Sequence, residues 1–325
     1  MDRQDRIGSE GEQVTQSRFV LVVAHTARKD AVAAAQVAIE QLHAAGIVPV
    51  LTESDLKDFH KHVADQVLTA SVIDHVKTLD VDCKMADLEL VMVLGGDGTI
   101  LKAAEIVREH AIPLMGINLG HVGFLAESER EEFTQAVHRV LDRDYEIKER
   151  LTLDVAVIVD GKEVFKTWAL NEATVEKSAR ERMLEVVIEV EGHPLSSFGC
   201  DGIVMSTPTG STAYAFSAGG PVVWPSVDAL LVVPLSAHAL FARPLVIKPD
   251  AMVAVEVLQR SAGHGVLWCD GRRSWELPPG ARVEVTKSAK PVRLARLRSS
   301  TFTDRLVKKF SLPVAGWRGP DDASK

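Results

Sequence analysis

Cysteine is scarce in this chain of 325 residues. Cys83, Cys200 and Cys269 are odd in number, far apart and without a CxxC pair, so neither a disulfide framework nor a zinc site is indicated and reduced thiols are expected. No stretch approaches the length of a membrane span, and Met1 to Arg18 has no apolar signal-peptide core. A cytoplasmic protein is therefore expected. Surplus positive charge is missing too. The formal net charge is −8, which repels polyanions, disfavours a general nucleic-acid role and leaves small molecules or protein as partners. Two nucleotide fingerprints are absent: no GxxxxGK[ST] occurs, and Gly96-Asp97-Gly98 is not followed by the third glycine of a dinucleotide turn, so an ordinary dehydrogenase is not indicated.

The apolar content and length that remain suffice for two globular domains. Residues 1–17 read as a disordered lead-in. Phe19–Ala24 has the pattern of a buried strand, Asp30–Ala45 that of an amphipathic helix which Gly46 ends, and Ile47–Leu51 that of the next strand. A helical stretch follows over about Ser54 to Thr78, then a strand over Leu88–Leu94, a helix to about His110, a strand over Ile112–Ile117 and an acidic helix over about Glu129–Leu141. Strands alternating with helices predict a doubly wound, Rossmann-like parallel sheet over 18–149. From Leu151 the runs are short and β-rich, with hairpin signals at Asp160-Gly161, Glu191-Gly192 and Asp270-Gly271. A mostly antiparallel β domain is expected over 150–300. An amphipathic helix, Asp304–Phe310, closes a 301–325 tail and needs a surface to cover, with the first domain as one candidate.

The pivot of the sequence is Leu90-Val91-Met92-Val93-Leu94-Gly95-Gly96-Asp97-Gly98-Thr99, where an apolar strand stops at three glycines around one carboxylate. Glycines let backbone N–H groups approach an anion closely, and a helix start adds favourable partial charge. A carboxylate beside phosphates is repelled unless a divalent cation or a proton in transit accompanies it, so Asp97 suggests catalysis or magnesium. A tight turn with Asp97 capping the helix accounts for the stretch equally well. A second glycine-bearing segment, Asn118 to Leu125, follows the Ile112–Ile117 strand.

The other unusual stretch runs from Cys200 to Tyr214, with hydroxyls at Ser206, Thr207, Thr209, Ser211 and Thr212. Such a density suits ribose and phosphate oxygens, and Tyr214 offers a ring face to a base. A Ser/Thr-rich turn capping a helix near Ala213 is the simpler account of those residues alone.

Taken together, Gly95-Gly96-Asp97-Gly98-Thr99, Gly116-Ile117-Asn118-Leu119-Gly120 with Gly123-Phe124-Leu125, Ala169-Leu170-Asn171-Glu172, and Asp201-Gly202 leading into Ser206–Tyr214 and Ser217–Pro221 resemble the NAD kinase family, in family order from about Phe19 to Trp317. Lipid and sugar kinases share the glycine turn, but Asn171-Glu172 with Thr207–Tyr214 favours the NAD kinase branch. The resemblance implies transfer of a phosphoryl group from ATP, or inorganic polyphosphate, to the 2′-hydroxyl of the adenosine ribose of NAD, with a divalent cation such as Mg2+ and a homo-oligomeric assembly. It implies Asp97 as proton acceptor or metal positioner. Gly95, Gly96, Gly98, Thr99, Lys102 and Asn118 would hold phosphates, and Asn171, Glu172, Arg182, Asp201, Thr212, Ala213, Tyr214, Ala215, Phe216 and Ser217 would bind NAD. Gly199 stands where some relatives carry a basic residue, which leaves acceptance of NADH open. A lipid or sugar kinase and a non-catalytic NAD-sensing module are the alternatives.

Three further clusters have plain readings. His60-Lys61-His62 lacks further ligands at zinc spacing and reads as a solvated face. Arg272-Arg273 reads most simply as an exposed hairpin tip, with phosphate contact from a neighbouring subunit as the lesser alternative. Arg293, Arg296 and Arg298 read as the wet face of a strand.

Overall fold

The computed structural model describes residues 17–119, 123–125, 133–180, 182–240, 242–297 and 301–314. The lead-in before Ser17, Gly120, His121, the expected helix start before Phe133, Arg298 and the tail beyond Val314 lie outside the described residues.

The first half runs β1 (Phe19–Ala24), α1 (Lys29–Ala44), β2 (Val48–Leu51), α2 (Glu53–Ala64), α3 (Ser71–Asp74), β3 (Lys77–Thr78), β4 (Leu88–Leu94), α4 (Asp97–Ile106), β5 (Leu114–Ile117), α5 (Phe133–Leu141) and β6 (Glu146–Arg150). β1 lies between β2 and β4, parallel to both. These central strands are apolar on both faces because helices cover both. Val20, Val22, Met92 and Leu94 pack on Ala35, Ala38, Ile39 and Leu42 of α1 and on Phe59 of α2. On the opposite face Leu21, Val23, Val91 and Val93 meet Ile100, Ala103 and Ala104 of α4. The alanines of α1 and α4 keep both helices close to the sheet.

The single helix expected over about 54–78 is broken. α2 stops at Ala64, Gln66 adopts a left-handed φ of 59°, and Val67 N–H closes the turn on His62 C=O at 2.8 Å. That break lets Leu68 and Val72 reach the core that Phe59 occupies from α2.

The second half runs β7 (Leu153–Val159), β8 (Lys162–Ala169), β9 (Glu172–Lys177), β10 (Leu184–Val190), β11 (His193–Cys200), β12 (Gly202–Ser206), α6 (Tyr214–Ser217), β13 (Leu230–Leu235), β14 (Leu245–Ile247), β15 (Val253–Val257), β16 (Gly265–Cys269), β17 (Arg273–Leu277), β18 (Arg282–Lys287), β19 (Val292–Arg296) and α7 (Phe302–Phe310). Two antiparallel sheets form among the described residues, ordered β11-β10-β15-β18-β7-β8 and β14-β13-β12-β9-β16-β17. Alternate residues such as Val155, Val186, Val255 and Val283 of one sheet meet Ala173, Val175, Ile203 and Met205 of the other in a shared core. The three expected hairpin turns are present: both central residues have positive φ at Asp160-Gly161, Glu191-Gly192 and Asp270-Gly271.

The α/β plus antiparallel β expectation agrees with the structure, with one rearrangement. β19, expected in the second domain, returns to the first sheet, whose order is β3-β2-β1-β4-β5-β19-β6. It lies parallel to β5 at Leu294↔Leu114 and antiparallel to β6 from Val292↔Arg150 to Arg296↔Glu146. β19 covers the hydrogen-bonding edge of β5 that β6 alone would have to reach. α7 follows, capped by Thr301 and Asp304 in a reciprocal box. Its Phe302 and Phe310 pack at a tilt against Phe124, and Phe310 also stacks on Phe216 at 4.4 Å between ring centroids. The helix thus lies between the segment after β5 and the loop that carries α6.

Candidate active site

The glycine turn joins β4 to α4 at the carboxyl ends of the parallel strands, where a doubly wound sheet binds ligands. Only glycine fits at position 95, because a Cβ there would lie 2.4 Å from Thr99 Oγ1. Gly96 caps α4 in an extended conformation, and Thr99 and Ile100 donate back to its carbonyl at 2.9 and 3.3 Å. The first N–H groups of a helix have no intrahelical acceptors, so the start of α4 carries donors and partial positive charge.

A cavity of about 540 Å³ opens beside this turn, lined by the last residue of β1 and the four that follow it (24–28), by Gly96, Gly98, Thr99 and Lys102, and by Arg272. Lys102 is held by the buried Asp55, Nζ to Oδ1 at 2.8 Å. Asn118, directly after β5, is buried close by, since Gly95 N–H bonds the carbonyl of Ile117. Asp97 itself turns toward the segment after β5. Phe124 N–H donates to Oδ2 at 3.1 Å and Leu125 N–H to Oδ1 at 3.2 Å. Gly123 has to be glycine for that approach, because a Cβ would sit 2.4 Å from Oδ1. Behind Asp97 lie Arg296 and Arg305. Arg296 was expected on a wet strand face and is instead buried, next to Arg305 of α7; burial and Arg305 bring its pKa down to about 9, with Asp97 pulling the other way.

A second cavity of about 510 Å³ lies on the other side of α4. It is lined by Leu101, Asn171, Glu172, Thr174, Glu176, Tyr214, Trp268, Asp270 and Gly271. Leu101 and Lys102 face different cavities, and so do Gly271 and Arg272. One helix turn and one hairpin tip therefore separate the two spaces. A third cavity of about 520 Å³ adjoins through Glu176 and Trp268 and includes Lys177 and His264.

Asp270 organises the second cavity. Its buried carboxylate accepts the N–H groups of Leu170, Asn171 and Glu172, with Asn171 at 2.7 Å, and pairs with Arg273 at 2.8 Å. Glu172 is 8% exposed, and its Oε2 has no hydrogen-bond partner among the described residues. Burial, reinforced by Asp270, pushes its pKa up to about 8, while the N–H of Tyr214 draws it down. Between its ordinary 4.5 and about 8 the folded chain keeps a proton that the unfolded chain has released, so this group costs stability as pH rises through that window. Glu172→Gln is expected to raise the unfolding temperature at pH 8 and leave it nearly unchanged at pH 5. Equal gains at both pH values in thermal melts would remove the buried charge as the cause.

The hydroxyl-rich stretch does not meet the cavity as its composition suggested. Ser206 Oγ donates to Asn171 C=O at 3.0 Å, Thr207 Oγ1 to Leu170 C=O at 2.7 Å and Ser211 Oγ to Pro208 C=O at 2.7 Å. These buried hydroxyls bond to backbone because β12 and its turn cover the Leu170-Asn171 segment, whose carbonyls need donors. Thr212 likewise donates to Thr209 C=O. In the segment beyond, Tyr214 lines the second cavity, Ala213 precedes α6, Ala215 is in the core, Phe216 packs on α7 and Ser217 is exposed. Asp201 pairs with Lys177 at 2.5 Å, which holds its carboxyl below the usual range and places it behind the third cavity. Arg182 is exposed, donates to Ala262 C=O at 2.7 Å and lines none of the three cavities.

Among the residues that line or support these cavities, sequence reasoning singled out Arg272 only as a hairpin tip with a lesser phosphate reading, and gave no site role to His25, Arg28, Glu176, Trp268 or Asp270. The position of His25 to Arg28 just beyond the end of β1 is a signal that could have found two of them. No group of three or more His, Cys, Asp or Glu suited to a metal occurs among the described residues, and none of their helices is long and apolar enough to cross a membrane.

A parallel sheet whose glycine turn opens on a cationic cavity lies beside an antiparallel domain with a polar cavity, an arrangement suited to a small-molecule kinase. Family models agree over most of the chain: the ATP-NAD kinase N-terminal domain matches residues 20–145 and the ATP-NAD kinase C-terminal domain residues 170–297. The chain belongs to the NAD kinase family of enzymes. It is 62% identical to the NAD kinase of Leifsonia xyli subsp. xyli, over 94% of this chain and 98% of that one. It is 54% identical to the NAD kinase of Thermobifida fusca, over 97% and 95%. In fold it resembles yeast NADH kinase complexed with NADH, with a TM-score of 0.80 and 19% identity over 93% of this chain and 90% of that one. An NAD kinase from Archaeoglobus fulgidus in complex with ATP aligns with a TM-score of 0.62 and 21% identity over 91% and 100%.

Proposed function

We propose that this chain, acting in the cytoplasm, transfers the terminal phosphoryl group of ATP to the 2′-hydroxyl of the adenosine ribose of NAD, forming NADP and ADP. The observation that carries this reading is the pair of cavities that meet across α4 and the 270–272 hairpin tip, one cationic beside the glycine turn and one polar around Glu172. Donor phosphates occupy the first, held by the Gly96–Gly98 backbone, Thr99 and Lys102, with Asn118 beneath the turn. NAD occupies the second, where Asn171, Glu172 and Tyr214 meet its adenosine and Asp201 acts through Lys177. The unpartnered Oε2 of Glu172 gains a donor from a ribose hydroxyl or an amino group.

In the transfer the 2′-oxygen bonds the γ-phosphorus, the β–γ bridging bond breaks and its electrons leave with ADP. Asp97 takes the hydroxyl proton or positions the cation. A divalent cation such as Mg2+ fits this donor set, because magnesium beside phosphates needs only one or two carboxylates and keeps waters; bound, it would neutralise charge on the transferring group. Polyphosphate presents the same chained phosphates and serves as a second donor. The working form is a homo-oligomer, which light scattering would read directly.

The test is NADP formation from NAD, ATP and magnesium, beside parallel reactions with polyphosphate as donor and with NADH as acceptor. Product in the first is expected. No NADP from a folded protein that binds NAD would point to a sensor, and no NAD binding to a lipid or sugar acceptor.

A further inference from the structure

The cavity beside the glycine turn has an unusual distribution of charge. Its lining includes Arg28, Lys102 and Arg272, together with His25, and no carboxylate among the described residues. Yet each cation has an acidic partner outside that lining: Asp30 for Arg28 at 2.6 Å, Asp55 for Lys102 at 2.8 Å and Glu105 for Arg272 at 2.9 Å. The acids therefore hold the cations in place from behind while the cavity stays positive.

Arg272 alone of these lining residues comes from the second half of the chain. The Asp270-Gly271 turn places it, with φ of 54° and 62° at those residues and Arg272 N–H closing on Cys269 C=O at 3.0 Å. The tip is not free to swing, because the Asp270 carboxylate is anchored on the Leu170 to Glu172 backbone. Glu105 of α4 then takes Arg272 Nη2 with one oxygen and lies 3.3 Å from Arg273 Nε with the other. A half-exposed ion pair gains little stability by itself. Spending one of five guanidinium donors on Glu105 leaves the rest of the fork available to phosphate oxygens.

We propose that Arg272 is a ligand of the donor's phosphate chain, delivered to the glycine turn from the second domain, with Glu105 as its positioning residue. The proposal rests on the assignment of that cavity to the donor. It makes the donor site a composite of both domains, so a phosphate chain bound there ties the hairpin tip beside the NAD cavity to α4. Because the contact is to phosphate, ATP and polyphosphate should depend on it alike.

Arg272→Met, which keeps the aliphatic stem, and Arg272→Lys, which keeps the charge without the fork, test this in the full chain. Calorimetric titration of ATP without NAD should show affinity lowered about tenfold or more in Arg272→Met and less in Arg272→Lys. The KM for ATP and for polyphosphate should rise by similar factors while the KM for NAD stays within about twofold, and Glu105→Gln should shift both donors in the same direction by less. Unchanged donor binding, a matching rise in the KM for NAD, or an effect on ATP without one on polyphosphate would overturn the proposal. Should Arg272→Met not fold, the lysine and Glu105→Gln variants decide between the same outcomes. ATP binding that depends on Arg272 in a wild-type protein forming no NADP would sink the kinase reading and leave this one standing.

Discussion

Asp97→Asn is expected to lower NADP formation by about a hundred- to ten-thousandfold while NAD binding persists, as loss of a proton acceptor does. The carboxylate stands on the first residue of α4, between the glycine cradle and the Phe124-Leu125 N–H groups that grip both its oxygens. An amide keeps the size but offers one oxygen where two were bonded, so one N–H loses its acceptor; a small loss of stability should accompany the large loss of rate. Steady-state turnover, NAD titration and a thermal melt on one preparation separate these effects. Normal turnover by the variant would remove Asp97 from the mechanism, whichever of the two roles it was given.

The second large effect belongs to Asp270, a residue whose sequence context announces only a turn. Asp270→Ala strips acceptors from three backbone N–H groups and leaves the Arg273 guanidinium, packed over Trp168 beside Arg108, without its buried partner. Breaking one side of a buried, hydrogen-bonded charge costs about 3–5 kcal/mol, a large fraction of a domain's stability. Denaturant unfolding should show the midpoint falling without a change in slope, with Asp270→Asn falling less. The Asn171-Glu172 segment loses its anchor in the same step, so kcat should drop even where the variant remains folded. An unaltered midpoint would mean that β9 and β16 hold the segment by strand pairing alone.

How much of this could be read in advance varied with the range of the interactions involved. The β1-α1-β2 unit was legible because its apolar periodicity is local, and each DG or EG hairpin because a connection of two or three residues states its own φ requirements. The strand-to-helix glycine turn was legible because three glycines end an apolar run, although the order of residues left a binding turn and a plain cap equally open. The break after α2 was not, because Gln66 carries no strong stop signal and the turn forms to bring Leu68 and Val72 inward. Arg296 misled for a related reason: alternation along β19 suggests one wet face, and that end of the strand lies instead against Arg305 of α7 and Asp97. The Ser206–Thr212 stretch left two accounts open because composition counts donors without saying which carbonyls lie within reach, and here Ser206 and Thr207 bond the backbone of Asn171 and Leu170.

Local pattern and chemistry in the sequence determined that this protein has an α/β half with a glycine turn after a buried strand, a β half with a polar motif, and a carboxylate set among glycines. Tertiary structure alone decided that Asp97 is gripped by the segment after β5, that Asp270 holds Asn171 and Glu172, and that Arg272 lines the same cavity as Lys102. Those three results join residues from 27 to 170 positions apart. Hydrogen bonds and charge contacts reach only a few ångströms, so nothing in the order of residues states them until the sheets are packed.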